Sequence, residues 1–142
     1  MVSKTNSNYA ADAADQKSVT GHSHTLGGMI TNWASQKQKT VALSSTEAEY
    51  IAMAECAQES VFTRTLVAEL MEEKKTTIIY GNNIGLLFLT DNKQMRQHTK
   101  HINVRHHYLQ ELAEQKEAAT RFQRLEHNHA DVMTKNVTVQ LI

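Results

Sequence analysis

Residues 40–54 read Thr40-Val41-Ala42-Leu43-Ser44-Ser45-Thr46-Glu47-Ala48-Glu49-Tyr50-Ile51-Ala52-Met53-Ala54, a strand end that turns into a helix. Ser44, Ser45 and Thr46 all suit an N-cap, where a side-chain oxygen accepts an otherwise unpaired N–H of the first turn. Ser44 and Glu47 have the S-x-x-E spacing of a capping box. Beyond them Tyr50, Ile51, Ala54, Ala57, Val61, Phe62, Leu66 and Leu70 recur at helical spacing. They predict a long helix from Ser44 to about Glu73, weakest over Ser60–Thr65, with one face packed on a sheet. Glu47 reads as a cap and dipole partner. Glu49 sits roughly 100° around from Tyr50, at the edge of the stripe, where a carboxylate can point along the sheet into a cleft. Solvated surface competes with chemistry as its role.

Outward from that helix, Tyr9–Asp12, Thr20–Leu26 and Met29–Ala34 are strand candidates, the last two joined by the hairpin signal Gly27-Gly28. Trp33 is expected to cover one face of the sheet, and Gln36–Lys39 to form a polar turn. Thr76–Tyr80 is apolar on both sides, as a buried parallel strand is. Asn82–Gly85 is expected to turn into a short helix through Leu89, and Lys93–Gln97 to form a loop. Ile102–Lys116 is amphipathic on Ile102, Val104, Tyr108, Leu109 and Leu112. Thr120–Leu125 is a last strand and Asp131–Lys135 a final short helix. Strand pairs followed by alternation of helix and strand imply an α/β fold with a mixed sheet flanked by helices.

The 142 residues suffice for one domain over one core, and 40% hydrophobic content excludes a disordered chain. Lys plus Arg and Asp plus Glu are 15 each, so any nucleic-acid binding must come from a local patch. The single cysteine, Cys56, excludes an internal disulfide and fits an intracellular, reducing setting in cytoplasm or nucleus. Met1–Asn8 is polar, neither a signal peptide nor a membrane span, and is expected to be a flexible N-terminus. No membrane association is expected. There is no proline, against about seven at average usage, a hint of drift.

Lys37–Met53 (K-Q-K-T-V-A-L-S-S-T-E-A-E-Y-I-A-M) resembles the ribonuclease H domain of copia-type retrotransposon polyproteins. Lys17–Gly21 with Leu26–Gly28, Ile79–Asn83, Thr99–His107 and Ala130–Lys135 agree with the same family, in order. The resemblance covers nearly the whole chain. It implies a ribonuclease H-like fold with a mixed five-stranded sheet, and Mg²⁺- or Mn²⁺-dependent cleavage of RNA in an RNA–DNA hybrid. Two-metal cleavage needs hard oxygen ligands converging on ions about 3.5–4 Å apart. The family meets this with four carboxylates, on the first strand, the first helix, the end of the fourth strand and the last helix.

Residue by residue, the helix acid maps to Glu49 and the last-helix acid to Asp131. At the fourth strand Tyr80-Gly81-Asn82-Asn83 puts Asn82 in the acid position. An amide offers one neutral oxygen and adds N–H donors, so metal affinity and transition-state stabilisation should fall, the latter by several kcal/mol. For the first strand the family pattern is Tyr, any residue, Asp, Ala, Asp, Trp, then an acidic loop. Counting from Tyr9 puts Ala11 at the metal position; a shift of one residue puts Asp12 there, and neighbouring strand residues face opposite ways. Glu49, Asp131 and Asp12 are thus the expected metal ligands, with metal binding weakened or lost. The chain reads as a worn or repurposed, free-standing copy of the domain that cuts poorly or not at all.

The eight histidines match no compact zinc motif. Lys93, Arg96, His98, Lys100, His101, Arg105, His106 and His107 form a basic cluster, to which Lys37 and Lys39 add. Lys100, His101, Arg105, His106, Lys37 and Lys39 are the expected contacts to a hybrid or double-stranded nucleic acid, held through phosphate and 2′-OH groups. The competing reading is an inactive nucleic-acid-binding or protein-interaction module with an unnamed partner.

Overall fold

The computed structural model describes residues 1–72, 75–82 and 100–135, with side chains from 104 onward in the last segment. Its strands are β1 (Val2–Asn8), β2 (Val19–Leu26), β3 (Met29–Lys37), β4 (Thr77–Gly81) and β5 (Ala118–Phe122). Helix α1 spans Ser45–Met71 and α2 Lys100–Glu114; 3-10 turns follow at Leu125–His127 and His129–Thr134. The sheet order is β3-β2-β1-β4-β5. The first three strands pair antiparallel, and β1, β4 and β5 run parallel. This is the mixed five-stranded sheet with helices that the sequence predicts. The turn and short helix read at 83–89, the loop at 93–97, and the side chains of Lys100 and His101 lie outside the described residues.

The first strand is the main correction. It is not Tyr9–Asp12 but Val2–Asn8, and the stretch expected to be flexible is the central strand of the sheet. Ser3, Thr5 and Asn6 are buried. No apolar alternation marks this strand, because its buried side chains are polar. It is held by ladders to β2 and β4 and by side-chain bonds on both faces, so tertiary context overrides its weak strand propensity.

Beneath α1 the polar residues are organised. Ser60 Oγ donates to the Cys56 carbonyl at 2.8 Å, lies 2.9 Å from Ser3 Oγ, and Ser3 Oγ lies 2.7 Å from His24 Nδ1. Each hydroxyl has one proton. Ser60 spends its own on Cys56, so Ser3 donates to Ser60 and His24 Nδ1–H donates to Ser3. That order satisfies every contact of the chain and leaves His24 Nε2 as a buried acceptor without a partner, beside two unpartnered nitrogens of His22. The two rings lie 5.1 Å apart. Desolvation lowers both pKa values, that of His24 to about 4.

The apolar core lies where α1 and α2 meet β4 and β5, around Tyr50, Met53, Cys56, Ala57, Ile79, Leu109, Leu112 and Ala118. The α1 N-terminus follows the predicted cap with one change. Ser44 Oγ accepts Glu47 N–H at 3.1 Å, but the Glu47 carboxylate accepts Leu43 N–H at 2.8 Å rather than that of Ser44. The helix is unbroken through 60–65. Its 27 residues make it about 40 Å long, longer than the strands below it, so burial ends near Ser60 and Phe62, Leu66 and Leu70 are exposed. Trp33, expected to cover a face, is 63% exposed on the edge strand β3.

On the other face the last 3-10 turn packs on β1 and β2. A Cβ at Gly21 would stand 2.8 Å from the Ala130 carbonyl oxygen and 2.9 Å from Met133 Cβ, so only glycine permits this approach.

Candidate active site

Asp131 reaches the sheet because Asn128 caps the short turn that carries it. Asn128 Oδ1 accepts Ala130 N–H at 3.1 Å, and its Nδ2 donates to the Thr5 carbonyl of β1 at 2.8 Å. One side chain thus starts the turn and ties it to the central strand. Asn8 Nδ2 adds a bond to the Thr134 carbonyl at 3.2 Å, and Ser35 Oγ another to the Met133 carbonyl.

The side chain that meets Asp131 from the first strand is Asn6. Its Nδ2 donates to Asp131 Oδ1 at 2.9 Å and to Thr134 Oγ1 at 3.1 Å. The other Asp131 oxygen accepts from Lys135 Nζ at 2.8 Å. Next along the strand, Ser7 N–H donates to Glu49 Oε1 at 3.2 Å. Glu49 is 7% exposed. Burial pushes its carboxyl up to about 7, while the hydrogen bond from Ser7 works in the opposite direction. Asn6 and Asn82 each lie two residues beyond the Lys4–Tyr80 pair, the last register pair of the parallel β1–β4 ladder. Both therefore extend toward the same end of the sheet. The Oδ1 atoms of Asn6 and Asn82 are buried without a partner.

Asp12 is elsewhere. It lies in the loop after β1, where Oδ1 accepts Ala14 N–H at 2.8 Å and Oδ2 accepts from Lys37 Nζ. Asp15 takes the same ammonium at 3.1 Å. The hydrogen bond from Lys37 holds the Asp12 pKa below its ordinary value. Asp12 is therefore a loop residue clamping a lysine, not a strand residue beside Asp131. The cause of the misreading is visible in the strand itself. Asn6-Ser7-Asn8-Tyr9 follows the order of the family pattern Asp, Ala, Asp, Trp, with amides where that pattern has acids. Counting from Tyr9 as the leading tyrosine shifts the register onto the loop after β1. Asn6 and Asn128 are the residues that sequence reasoning missed. The N-S-N alternation ahead of an aromatic was the available signal.

The expected nucleic-acid contacts divide. Lys37 is occupied by two carboxylates, and Lys39 is exposed. Arg105 is half-buried on α2. His106 is not a surface group: it is 4% exposed, with its ring edge-on to Tyr50 at 6.3 Å. The helical stripe runs through His106, Leu109 and Leu112, whereas Val104, expected to be inward, is exposed.

The donor set does not fit a pair of divalent ions. Asn6 and Asn82, set against the acids that the family resemblance implies, are neutral amides, and both Asp131 oxygens already accept from nitrogen donors. Among the described residues no group of three or more His, Cys, Asp or Glu could hold a metal ion. Nor is any helix among them long and apolar enough to cross a membrane.

Comparison with known proteins agrees with the fold. No protein-family model matches the chain. Over 133 residues, 94% of its length, it is 35% identical to the retrovirus-related Pol polyprotein from transposon TNT 1-94 of Nicotiana tabacum. It is 34% identical over 102 residues, 71% of its length, to that from transposon RE1 of Arabidopsis thaliana. The chain spans only 10% and 7% of these two relatives. Among solved structures it is similar to LC11-RNase H1 in complex with an RNA/DNA hybrid. That match has a TM-score of 0.69 at 12% identity, over 93% of this chain and 91% of the other.

Proposed function

Since the chain belongs with the ribonuclease H-fold domains of copia-type transposon Pol polyproteins, we propose that it holds RNA–DNA hybrid or double-stranded nucleic acid without cutting it. One observation carries the loss of cutting: the side chain that faces Asp131 from the central strand is the amide of Asn6. With Asn82 as the second amide, only Glu49 and Asp131 remain carboxyl groups among the four positions, too little negative charge to hold two divalent ions close together. Hybrid binding draws support from the fold, since a protein of similar fold is known in complex with an RNA/DNA hybrid. Lys39 and Arg105 are the described cations that would meet phosphate, with Lys100 and His101 at the start of α2 as further contacts. A protein-interaction role is the second reading, and it rests on Phe62, Leu66, Leu70 and Met71, all exposed on the far half of α1.

Binding is tested with a labelled hybrid in EDTA, where cleavage plays no part. The affinity is expected to fall steeply with salt, log K against log[salt] having a slope of about −2 to −4 for a few phosphate contacts. Lys39→Glu should weaken binding several-fold. Absence of binding at low salt, or binding indifferent to salt, would remove the nucleic-acid reading and leave the exposed face of α1 as the better guide.

A further inference from the structure

We propose that Asn6 and Lys135 take over, inside the protein, the charge-neutralising and cross-linking work that a cation does in a carboxylate-lined site, so that the last turn docks on the sheet without metal. The inference rests on the reading of the site as an amide-substituted ribonuclease H centre. Its test involves no nucleic acid, so the two can fail separately.

An acid at position 6 would set a carboxylate against Asp131, within hydrogen-bond distance, with Glu49 bonded to the very next residue. Like charges at that distance repel unless a cation lies between them. The amide of Asn6 removes the repulsion and replaces it with attraction. Its Nδ2 bridges Asp131 and Thr134, so it fastens the last turn at two points. Lys135, one turn on, supplies the positive charge at the second Asp131 oxygen. The orientation of the Asn6 amide follows from its partners, since the flipped amide would aim its oxygen at a carboxylate. Thr134 Oγ1 in turn donates to the Asp131 carbonyl, so the bridge closes on the turn it holds. The dock continues through Asn128 and Asn8, both amides donating to backbone carbonyls. Every one of these links is a direct hydrogen bond, and none needs an ion.

Thermal unfolding in EDTA and in millimolar Mg²⁺ tests this. The unaltered chain should melt within about 1 °C of the same temperature in both. Asn6→Asp should melt about 5 °C or more lower in EDTA, a shift typical of losing one or two such interactions in a domain of this size, and should recover most of the loss in Mg²⁺. Asn6→Ala, which breaks the bridge without adding charge, should melt low in both solutions. If Asn6→Asp folds only with Mg²⁺, the inference is supported. A rise of about 5 °C in the unaltered chain on adding Mg²⁺ would overturn it. So would an Asn6→Asp variant that melts like the unaltered chain in EDTA, or one that stays low in Mg²⁺.

Discussion

Asn6→Asp combined with Asn82→Asp is expected to convert a chain that leaves RNA–DNA hybrid intact into one that cuts it with Mg²⁺ or Mn²⁺, with a gain of at least several hundred-fold over background. Either substitution alone should stay close to background. The non-additivity follows from what each acid does. One extra carboxylate, at position 6 or at position 82, supplies three acids where two divalent ions call for more, and the other position still presents an amide. Each missing anion costs transition-state stabilisation of a few kcal/mol, about a hundred-fold or more in rate. Groups that act as one unit recover together or not at all. Gel analysis of a labelled hybrid under single-turnover conditions reads the result. Asn82→Asp restoring full cutting by itself would show that Asn6 is not at a metal position, and would return attention to Asp12.

The second large effect concerns acid. His24 is buried and neutral, with its folded pKa about 4 against 6.5 in a solvated chain. The unfolded chain therefore binds the extra proton first, and stability contributed by neutral His24 is lost as pH falls from about 6.5 to 4. The full shift corresponds to about 3 kcal/mol, of which about 2–3 kcal/mol is lost between pH 7 and 4.5. His22 acts in the same direction. Glu49 opposes both. Its folded pKa is raised from 4.5 to about 7, so the folded chain is the better proton binder across that range, and this term gains stability on acidification. The unaltered chain should then show a shallow stability profile between pH 7 and 4.5. Glu49→Gln keeps an acceptor for Ser7 N–H but cannot titrate. It should expose the histidine slope as a loss of about 2–3 kcal/mol over the same range. Urea unfolding at several pH values gives the slope directly. An equally shallow profile in Glu49→Gln would mean that the pair beneath α1 is solvated.

What was legible in the sequence followed from chemistry that shows in residue type. The α1 cap, the Gly27-Gly28 hairpin and the buried strand ending in Tyr80 each carry a local signal strong enough to survive without tertiary context. Gly27 and Gly28 indeed adopt φ of 58° and 84°. Glu49 and Asp131 stand out in the sequence because their neighbours, T-E-A-E-Y and A-D-V-M-T-K, are distinctive strings. The central strand was not legible, since Val2–Asn8 buries serine, threonine and asparagine and so reads as a polar tail. Asn6 escapes notice for the same reason, and Asp12 draws the reading instead because an acid is the more familiar ligand, whereas the structure puts Asn6, not Asp12, against Asp131. His106 reads as a surface cation because histidine suits both surface and core. Only its packing against Tyr50 assigns it to the interior. The far half of α1 was overread in the opposite sense. Phe62, Leu66 and Leu70 keep helical spacing although the sheet beneath them has ended.

The most direct measurement is single-turnover incubation of the unaltered chain, in excess over a labelled RNA–DNA hybrid, with Mg²⁺ and separately with Mn²⁺, beside Glu49→Gln as the contamination control. Both proteins are expected to leave the RNA strand intact while the hybrid remains bound. RNA cut by the unaltered chain and spared by Glu49→Gln would contradict it, because a site closed by Asn6 and short of two acids would then be working with the ligands it has.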